Sequence, residues 1–481
     1  MSIKFNPYEL GTDYSTKKRI DGWDPDSKFC SNPHLLITGM SGAGKTTVLK
    51  DLINYLGNKR KKIVFVLDIH DGLEVENENY VKYSARNTSV GINPFEFDYD
   101  IEDGGPAIRA EILVSLFKKH FMPTAGVIQQ NILKELFIDC YRYKGILDHD
   151  ETTWPKSEID DMSTDTSSGT TLPTMSDLED IYTMVFNKVN VTKNQVLCNE
   201  SHNQIEIDYY RKKINESVNE NMKNKYEKLL EERLDDIQND SSRNQENQKE
   251  DNEIGQEDED DNTSSSWFRK YNIDYTKYKG RNVIATLNTI GVYIRNFASM
   301  NIFNAKKPKF NKNINRLDLS GFTNAGKPDF ALFFFDLFLQ RVFSRCKIKG
   351  EYRDRPESQR TRGDKTDVFI VIDESRVILP TGKEKDNPYH MTNKIAAESR
   401  KYGLGLILGS QRVTHYGDEI LSNFFTKIIL KTDSSDIKIT NDKLKMINKD
   451  LIGLTNKPGV VVIGSGSTYR AVNLDLFQQF V

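Results

Sequence analysis

Gly39-Met40-Ser41-Gly42-Ala43-Gly44-Lys45-Thr46 fits the pattern G-x-x-x-x-G-K-[ST] without a mismatch. The apolar run Leu35-Leu36-Ile37-Thr38 leads into it, and the helix-like Thr47-Val48-Leu49-Lys50-Asp51-Leu52-Ile53 follows. The chemistry of phosphate binding needs that strand–loop–helix context. Glycines let the backbone curl until its N–H groups face phosphate oxygens, and the helix N-terminus adds partial positive charge. Residues 39–46, with Thr47 behind them, therefore read as a cradle for a nucleoside triphosphate. Lys45 would reach the β- and γ-phosphates and the Thr46 hydroxyl would ligate Mg²⁺.

Outward from this loop the chain alternates apolar strands and helices. Lys62-Ile63-Val64-Phe65-Val66-Leu67-Asp68 reads as a fully buried strand, and 106–145 as helical, with Ile128, Ile132, Leu133, Leu136 and Phe137 at helical spacing. Further strands are expected at Arg316–Ser320, Val368–Ile372, Leu404–Gly409, 426–431 and 459–463, with helices over Phe330–Cys346 and 390–401. Continuous apolar runs separated by helices indicate an α/β fold whose central sheet is mainly parallel and flanked by helices. The expected organisation is an N-terminal arm over 1–30, a core from 31–147 and 300–481, and an insertion over 148–299 that is mostly helical. Within it 239–266 is almost devoid of apolar side chains, so the expectation there is an acidic disordered segment.

The carboxylates supply the second half of a hydrolytic site. Val368-Phe369-Ile370-Val371-Ile372 ends in Asp373-Glu374. Asp373 would hold Mg²⁺ and Glu374 would polarise the attacking water as general base. Gln411, at the end of the next strand, is placed to sense the γ-phosphate or that water. No N-K-x-D guanine-reading motif occurs, because Asn448-Lys449-Asp450-Leu451 breaks it, so ATP is the expected nucleotide. Arg400 lies in Glu398-Ser399-Arg400-Lys401-Tyr402-Gly403, between a helix end and the Gln411 strand. From position alone it reads either as a cation complementing the helix dipole or as a guanidinium offered to a γ-phosphate.

Bulk composition narrows the setting. Four scattered cysteines and seven dispersed histidines show no metal spacing, which suits a reduced, cytoplasmic environment. No run of about 18 apolar residues suggests an integral membrane segment. The net charge of −3 conceals an asymmetry: residues 235–266 carry twelve acidic and two basic side chains, a local −10, so the remainder is +7. A mildly basic body is compatible with a nucleic-acid partner. The basic run Lys306, Lys307, Lys309, Lys312 and Arg316 reads first as a solvated loop, and no residue is assigned to DNA.

Taken in order, these segments resemble the HerA/FtsK superfamily of ring-forming DNA-pumping ATPases, the HerA branch above all. The resemblance rests on the phosphate loop, Val66-Leu67-Asp68-Ile69-His70-Asp71-Gly72, Gly91-Ile92-Asn93-Pro94-Phe95, Leu317-Asp318-Leu319-Ser320 and Ile372-Asp373-Glu374-Ser375-Arg376. Its most specific part is Ser399-Arg400-Lys401-Tyr402-Gly403-Leu404-Gly405-Leu406-Ile407-Leu408-Gly409-Ser410-Gln411-Arg412, followed by Ile420-Leu421-Ser422-Asn423. It covers about 34–145 and 300–475. The resemblance implies a RecA-like core, an arginine finger at Arg400, a sensor at Gln411 and an active-site role for Asp68, whose strand should lie beside the phosphate loop. It also implies ATP and Mg²⁺ as cofactors and a homo-hexameric ring around double-stranded DNA, often with a nuclease partner. Two departures stand out. HerA proteins usually carry a β-barrel before the phosphate loop, whereas 38 residues precede Gly39 here, and the usual Asp-Glu-Ala-His is Asp-Glu-Ser-Arg.

The expectation is thus an ATP-hydrolysing motor on duplex DNA serving repair, defence, transfer or packaging. Two alternatives share these motifs: an ATPase of conjugation or type IV secretion that moves protein or nucleoprotein, and a nucleotide-dependent switch or scaffold.

Overall fold

The computed structural model describes residues 7–13, 16–19, 22–27, 30, 32–84, 90–100, 104–155, 171–193, 199–217, 220–247, 271, 273–274, 277–278, 282–304, 308–324, 326–351, 366–382, 385–388, 390–445, 460–465 and 468–473. Its strands are β1 (Thr12–Asp13), β2 (Leu35–Thr38), β3 (Ile63–Asp68), β4 (Asn79–Lys82), β5 (Ile314–Asp318), β6 (Val368–Ile372), β7 (Leu404–Ser410), β8 (Thr426–Ile429), β9 (Val460–Ser465) and β10 (Thr468–Asn473). The longer helices are α1 (Lys45–Asn54), α2 (Pro106–His120), α3 (Val127–Tyr143), α4 (Met175–Lys193), α5 (Asn199–Glu216), α6 (Glu220–Asn247), α7 (Val283–Ala298), α8 (Pro328–Ile348) and α9 (Met391–Glu398). The described residues fall into two compact units, one from 1–125 and 298–481, the other from 126–155 and 168–297.

The first unit is built on one sheet of ten strands in the order β1-β10-β9-β8-β2-β7-β6-β3-β5-β4. From β8 to β4 every pairing is parallel, while β9, β10 and β1 join as an antiparallel edge. Burial explains the apolar strands: β2, β6 and β7 are buried along their whole length. Side chains alternate between two covered faces. Val64 and Val66 share a core with Val48, Leu49, Leu52 and Ile53 of α1. Phe65, between them, meets Phe338 of α8 edge-on at 5.3 Å. A sheet covered on both faces leaves its strand ends as the natural place for chemistry.

The order corrects one expectation. The phosphate-loop strand β2 lies between β7 and β8, and β3, which carries Asp68, is separated from it by β7 and β6. The crossover after α1 carries the chain past two strand positions that later segments fill. The residues of 1–30 that are described also pack rather than trail as an arm. Tyr8, Leu10 and Trp23 are buried in the sheet core, Trp23 against Phe369 at 6.1 Å. Buried Asp26 accepts from Arg60 at 2.6 Å and pairs with Lys62 at 2.9 Å.

The second unit contains α3 to α7 and begins at 126 rather than at the expected 148, so α3 belongs to it. Ile132, Leu133, Leu136 and Phe137 are buried, while Ile128, in the first turn, is 70% exposed. Buried Asp139 organises its interior, accepting from Tyr278 at 2.7 Å, Lys277 at 2.7 Å and Arg142 at 2.9 Å. Of the segment expected to be disordered, 239–247 is the end of α6, a helix supported by the i,i+4 pairs Lys223–Glu227 and Lys228–Glu232. Residues 248–266, the 163–170 loop and Asn448–Leu451 lie outside the described residues. Among the described residues no helix is long and apolar enough to cross a membrane.

Candidate functional site: a phosphate loop and a carboxylate pair

The site forms where β2, β7 and β6 end. Gly42 (φ 76°) and Gly44 (φ 90°) adopt the left-handed backbone that turns the loop inward before α1 begins at Lys45. No side chain caps α1 and no acidic residue stands in its first turn, so its leading N–H groups are left for an anion. Lys45 is buried and its Nζ donates to the carbonyls of Gly39 at 2.9 Å and Met40 at 3.2 Å. The loop is fastened from behind, with Met40 N–H donating to the Lys431 carbonyl at 2.8 Å and Gly39 N–H to that of Ser410 at 3.3 Å.

Asp373 meets this loop from β6, accepting from the Thr46 hydroxyl at 3.3 Å. Residues 327 positions apart are thereby joined as the sequence motifs require. Burial, together with the neighbouring Glu374 charge, pushes the Asp373 carboxyl up from its ordinary value. Glu374 has φ 52°, an uncommon conformation for a residue with a side chain, and its N–H donates to Asp373 Oδ1 at 2.9 Å. Gln411, one residue past β7, donates from Nε2 to Glu374 Oε1 at 3.0 Å. β7 lies between β2, which leads into the phosphate loop, and β6, which leads into Asp373.

Asp68 and Arg400 are not part of this cluster. Asp68 is buried and accepts from the N–H groups of His70 at 3.2 Å, Gly72 at 3.2 Å and Leu73 at 2.8 Å. Its Oδ2 also faces Arg316 Nη1 at 3.4 Å. These bonds shape the 68–73 turn. Arg316, read from sequence as part of a solvated basic run, is instead buried among Asp68, Asp71 and Glu78 with Tyr80 against its plane. Arg400 sits in the 3₁₀ turn Ser399–Tyr402, before the N-terminal end of β7. At about 3.3 Å per residue, the seven residues of β7 put it on the order of 20 Å from the strand end where Gln411 meets Glu374. Its carbonyl accepts the Gly403 N–H at 3.1 Å, while its guanidinium is exposed and makes no hydrogen bond or ion pair among the described residues.

Several supporting residues escaped sequence reasoning. A Cβ on Gly409 would stand 2.9 Å from Asp373 Oδ1 and 3.2 Å from Leu49, so only glycine gives the carboxylate its place. Ser410 Oγ lies 2.6 Å from His415 Nδ1, and buried Tyr416 OH lies 3.1 Å from Ser375 Oγ. The signal was a glycine and a serine directly before the sensor glutamine. His415, the partner of Ser410 five residues onward, and Tyr416 carried none.

Thr46 and Asp373 present a hydroxyl and a carboxylate oxygen on one spot, the hard-oxygen donor set that suits Mg²⁺ shared with phosphates. Among the described residues no group of three or more His, Cys, Asp or Glu forms a metal site of its own.

Comparison with known proteins agrees with this geometry. The family described as "Helicase HerA, central domain" matches residues 26–104. The DNA double-strand break repair helicase HerA of Pyrococcus furiosus is 32% identical over 100 residues, 20% of this chain and 18% of the relative. That of Sulfurisphaera tokodaii is 35% identical over 102 residues, 21% of this chain and 20% of the relative. The matched stretch thus spans about a fifth of these relatives. The solved structure of VirB4 from Thermoanaerobacter pseudethanolicus superposes with a TM-score of 0.60 over 98% of this chain and 97% of its own, at 12% identity, a likeness of fold. The HerA central-domain match falls on the phosphate loop and the strand after it, so over this stretch the chain is similar to the HerA helicases and carries a HerA-like P-loop ATPase region.

Proposed function

We propose that the chain is an ATP-hydrolysing motor that assembles as a ring, by analogy a homo-hexamer, and translocates along double-stranded DNA. The observation that carries the hydrolytic reading is the contact of Thr46 with Asp373 beside the Glu374–Gln411 bond. In this reading the α1 N–H groups and Lys45 bind the β- and γ-phosphates, and Thr46 and Asp373 would hold Mg²⁺, whose charge when bound would offset that of the phosphates. Glu374 takes the proton of the attacking water and Gln411 orients it. Arg400 stands at the far end of β7 with its guanidinium unpaired among the described residues, so in this reading it serves a neighbouring subunit's nucleotide. Asp68 supports the site indirectly through the turn it organises. The duplex-DNA substrate is supported by the HerA double-strand break repair helicases to which the chain is similar. A nuclease partner is a further expectation of that likeness.

The test is ATP hydrolysis by wild type and Glu374→Gln, with and without long duplex DNA at low salt. Hydrolysis stimulated by duplex and abolished in Glu374→Gln is expected. Turnover indifferent to DNA would sink the translocase reading, and turnover surviving Glu374→Gln would remove Glu374 as the base.

A further inference from the structure

Two cations lie on the two turns that leave the site, and a third reaches one of them from a later segment. Arg376 lies in the 3₁₀ turn Ser375–Val377 that begins directly after Glu374. It is exposed and makes no hydrogen bond or ion pair among the described residues. Arg412 follows Gln411, with its side chain 56% exposed and its Nε 3.1 Å from Asp436 Oδ2. Lys385 donates to the Thr414 carbonyl, on the same turn as Arg412. His415 lies at their centre. Burial holds its pKa below the ordinary histidine value, and the charges of Arg376, Arg412 and Lys385 lower it further.

Like charges gathered at a partly solvated surface repel, and a polyanion relieves that repulsion with release of its own counterions. The carboxylates nearby are engaged: Glu374 with Gln411, Asp373 with Thr46, Asp436 with Arg412, Asp386 with the Glu419 N–H, Asp418 with Lys443, and Asp433 with Ser435. ATP phosphates are already provided for by Lys45 and α1. From Arg376, Arg412 and Lys385, converging on the two turns that follow β6 and β7, we infer a contact site for the sugar-phosphate backbone of double-stranded DNA, coupled to the hydrolytic pair. This rests on the motor reading above.

The coupling follows from covalent and hydrogen-bonded neighbours. Arg412 adjoins Gln411, and Arg376 stands two positions after Glu374. The Tyr416–Ser375 contact at 3.1 Å ties one turn to the other, and Ser410–His415 at 2.6 Å closes the Arg412 turn on β7. A phosphate held by these cations therefore acts on both partners of the Gln411–Glu374 bond.

The experiment is anisotropy of a labelled long duplex between 50 and 200 mM salt, read as the slope of log affinity against log salt. Arg376→Gln, Lys385→Gln and Arg412→Gln are each expected to weaken binding and to reduce duplex stimulation of ATP hydrolysis. Each should also flatten the slope by about 0.9 for every phosphate that is no longer neutralised. Arg376→Lys, which keeps the charge, is expected to hold the wild-type slope. Lys118→Gln, an exposed charge elsewhere in the same unit, is the matched control and is expected to leave the slope alone. Wild type that binds duplex while all three glutamine variants share its slope, or Lys118→Gln flattening it equally, overturns this site and leaves the motor reading intact. Wild type that does not bind duplex overturns both.

Discussion

Gln411 Nε2 donates to Glu374 Oε1 at 3.0 Å, so the residue just past β7 touches the carboxylate just past β6 directly. Losing one hydrogen bond to a charged group costs about 1.5–3 kcal/mol. Gln411→Leu, close in size and unable to donate, should lower kcat by roughly 10–100-fold. Nucleotide affinity, set mainly by Lys45 and α1, should change much less. Steady-state kinetics beside a direct ATP-analogue titration makes the comparison; equal loss in both would show that Gln411 serves binding.

Arg400 projects from the opposite end of β7 to Gln411. A guanidinium on a transferring phosphoryl group is worth about 10³–10⁵ in rate. Arg400→Ala and Lys45→Ala proteins should each be nearly inactive alone, while their mixture regains turnover at interfaces that pair an intact loop with an intact arginine. A mixing series with no recovery at any ratio would rule out the role in trans.

Gly409→Ala tests how finely Asp373 is seated. The added methyl meets Asp373 Oδ1 at 2.9 Å and Leu49 at 3.2 Å, and the backbone there needs no unusual φ. Overpacking of this kind costs about 1–3 kcal/mol. The variant should fold, with a lower melting temperature, and require more Mg²⁺ for half-maximal hydrolysis. An unchanged Mg²⁺ dependence would show that Asp373 tolerates displacement.

His34 gives stability a pH dependence. Buried completely and accepting the Leu406 N–H at 2.9 Å, it has its pKa lowered to about 3, burial being the largest cause. The unfolded chain takes up this proton from roughly pH 6.5 downward and the folded chain does not. This contribution is therefore complete above about pH 6.5 and is lost as pH falls toward about 3, at up to about 1.4 kcal/mol per pH unit. His34→Gln should be less stable at neutral pH yet lose less between pH 6.5 and 5, as read by urea unfolding.

The Asp26 carboxylate holds Arg60 and Lys62 with all three side chains almost fully buried. Asp26→Ala leaves two buried cations without that partner and should cost about 3–5 kcal/mol. A change below about 1 kcal/mol in chemical denaturation would mean that the N-terminal residues add little to the core.

What was legible in the sequence was whatever the chain states locally. Leu35–Thr38, Val368–Ile372 and Leu404–Ser410 are continuous apolar runs because both sheet faces are covered, and Lys45, Thr46, Asp373, Glu374 and Gln411 sit at fixed offsets from their ends. β4 went unseen because Asn79-Tyr80-Val81-Lys82 is an edge strand with a single buried side chain. The place of β3 was misjudged because strand order belongs to the crossover and is not written in any strand. Trp23 and Asp26 looked like parts of a loose arm because the groups that hold them, Phe369, Arg60 and Lys62, lie far along the chain. Asp68 occurs in a motif-like stretch, yet its oxygens are engaged by three backbone N–H groups and Arg316, an arrangement that only coordinates reveal.

β7 has a consequence of its own. It is a buried rod with Arg400 before one end and Gln411 past the other, pinned on both sides by β2 and β6. In a closed ring with Arg400 reaching across the boundary, its two ends would report to two different nucleotides. A small slide of the rod on hydrolysis at one site would be felt at the next as a change in its sensor. Timing around the circle would then be a matter of mechanical linkage, with each subunit's strand acting as the connecting rod between consecutive strokes.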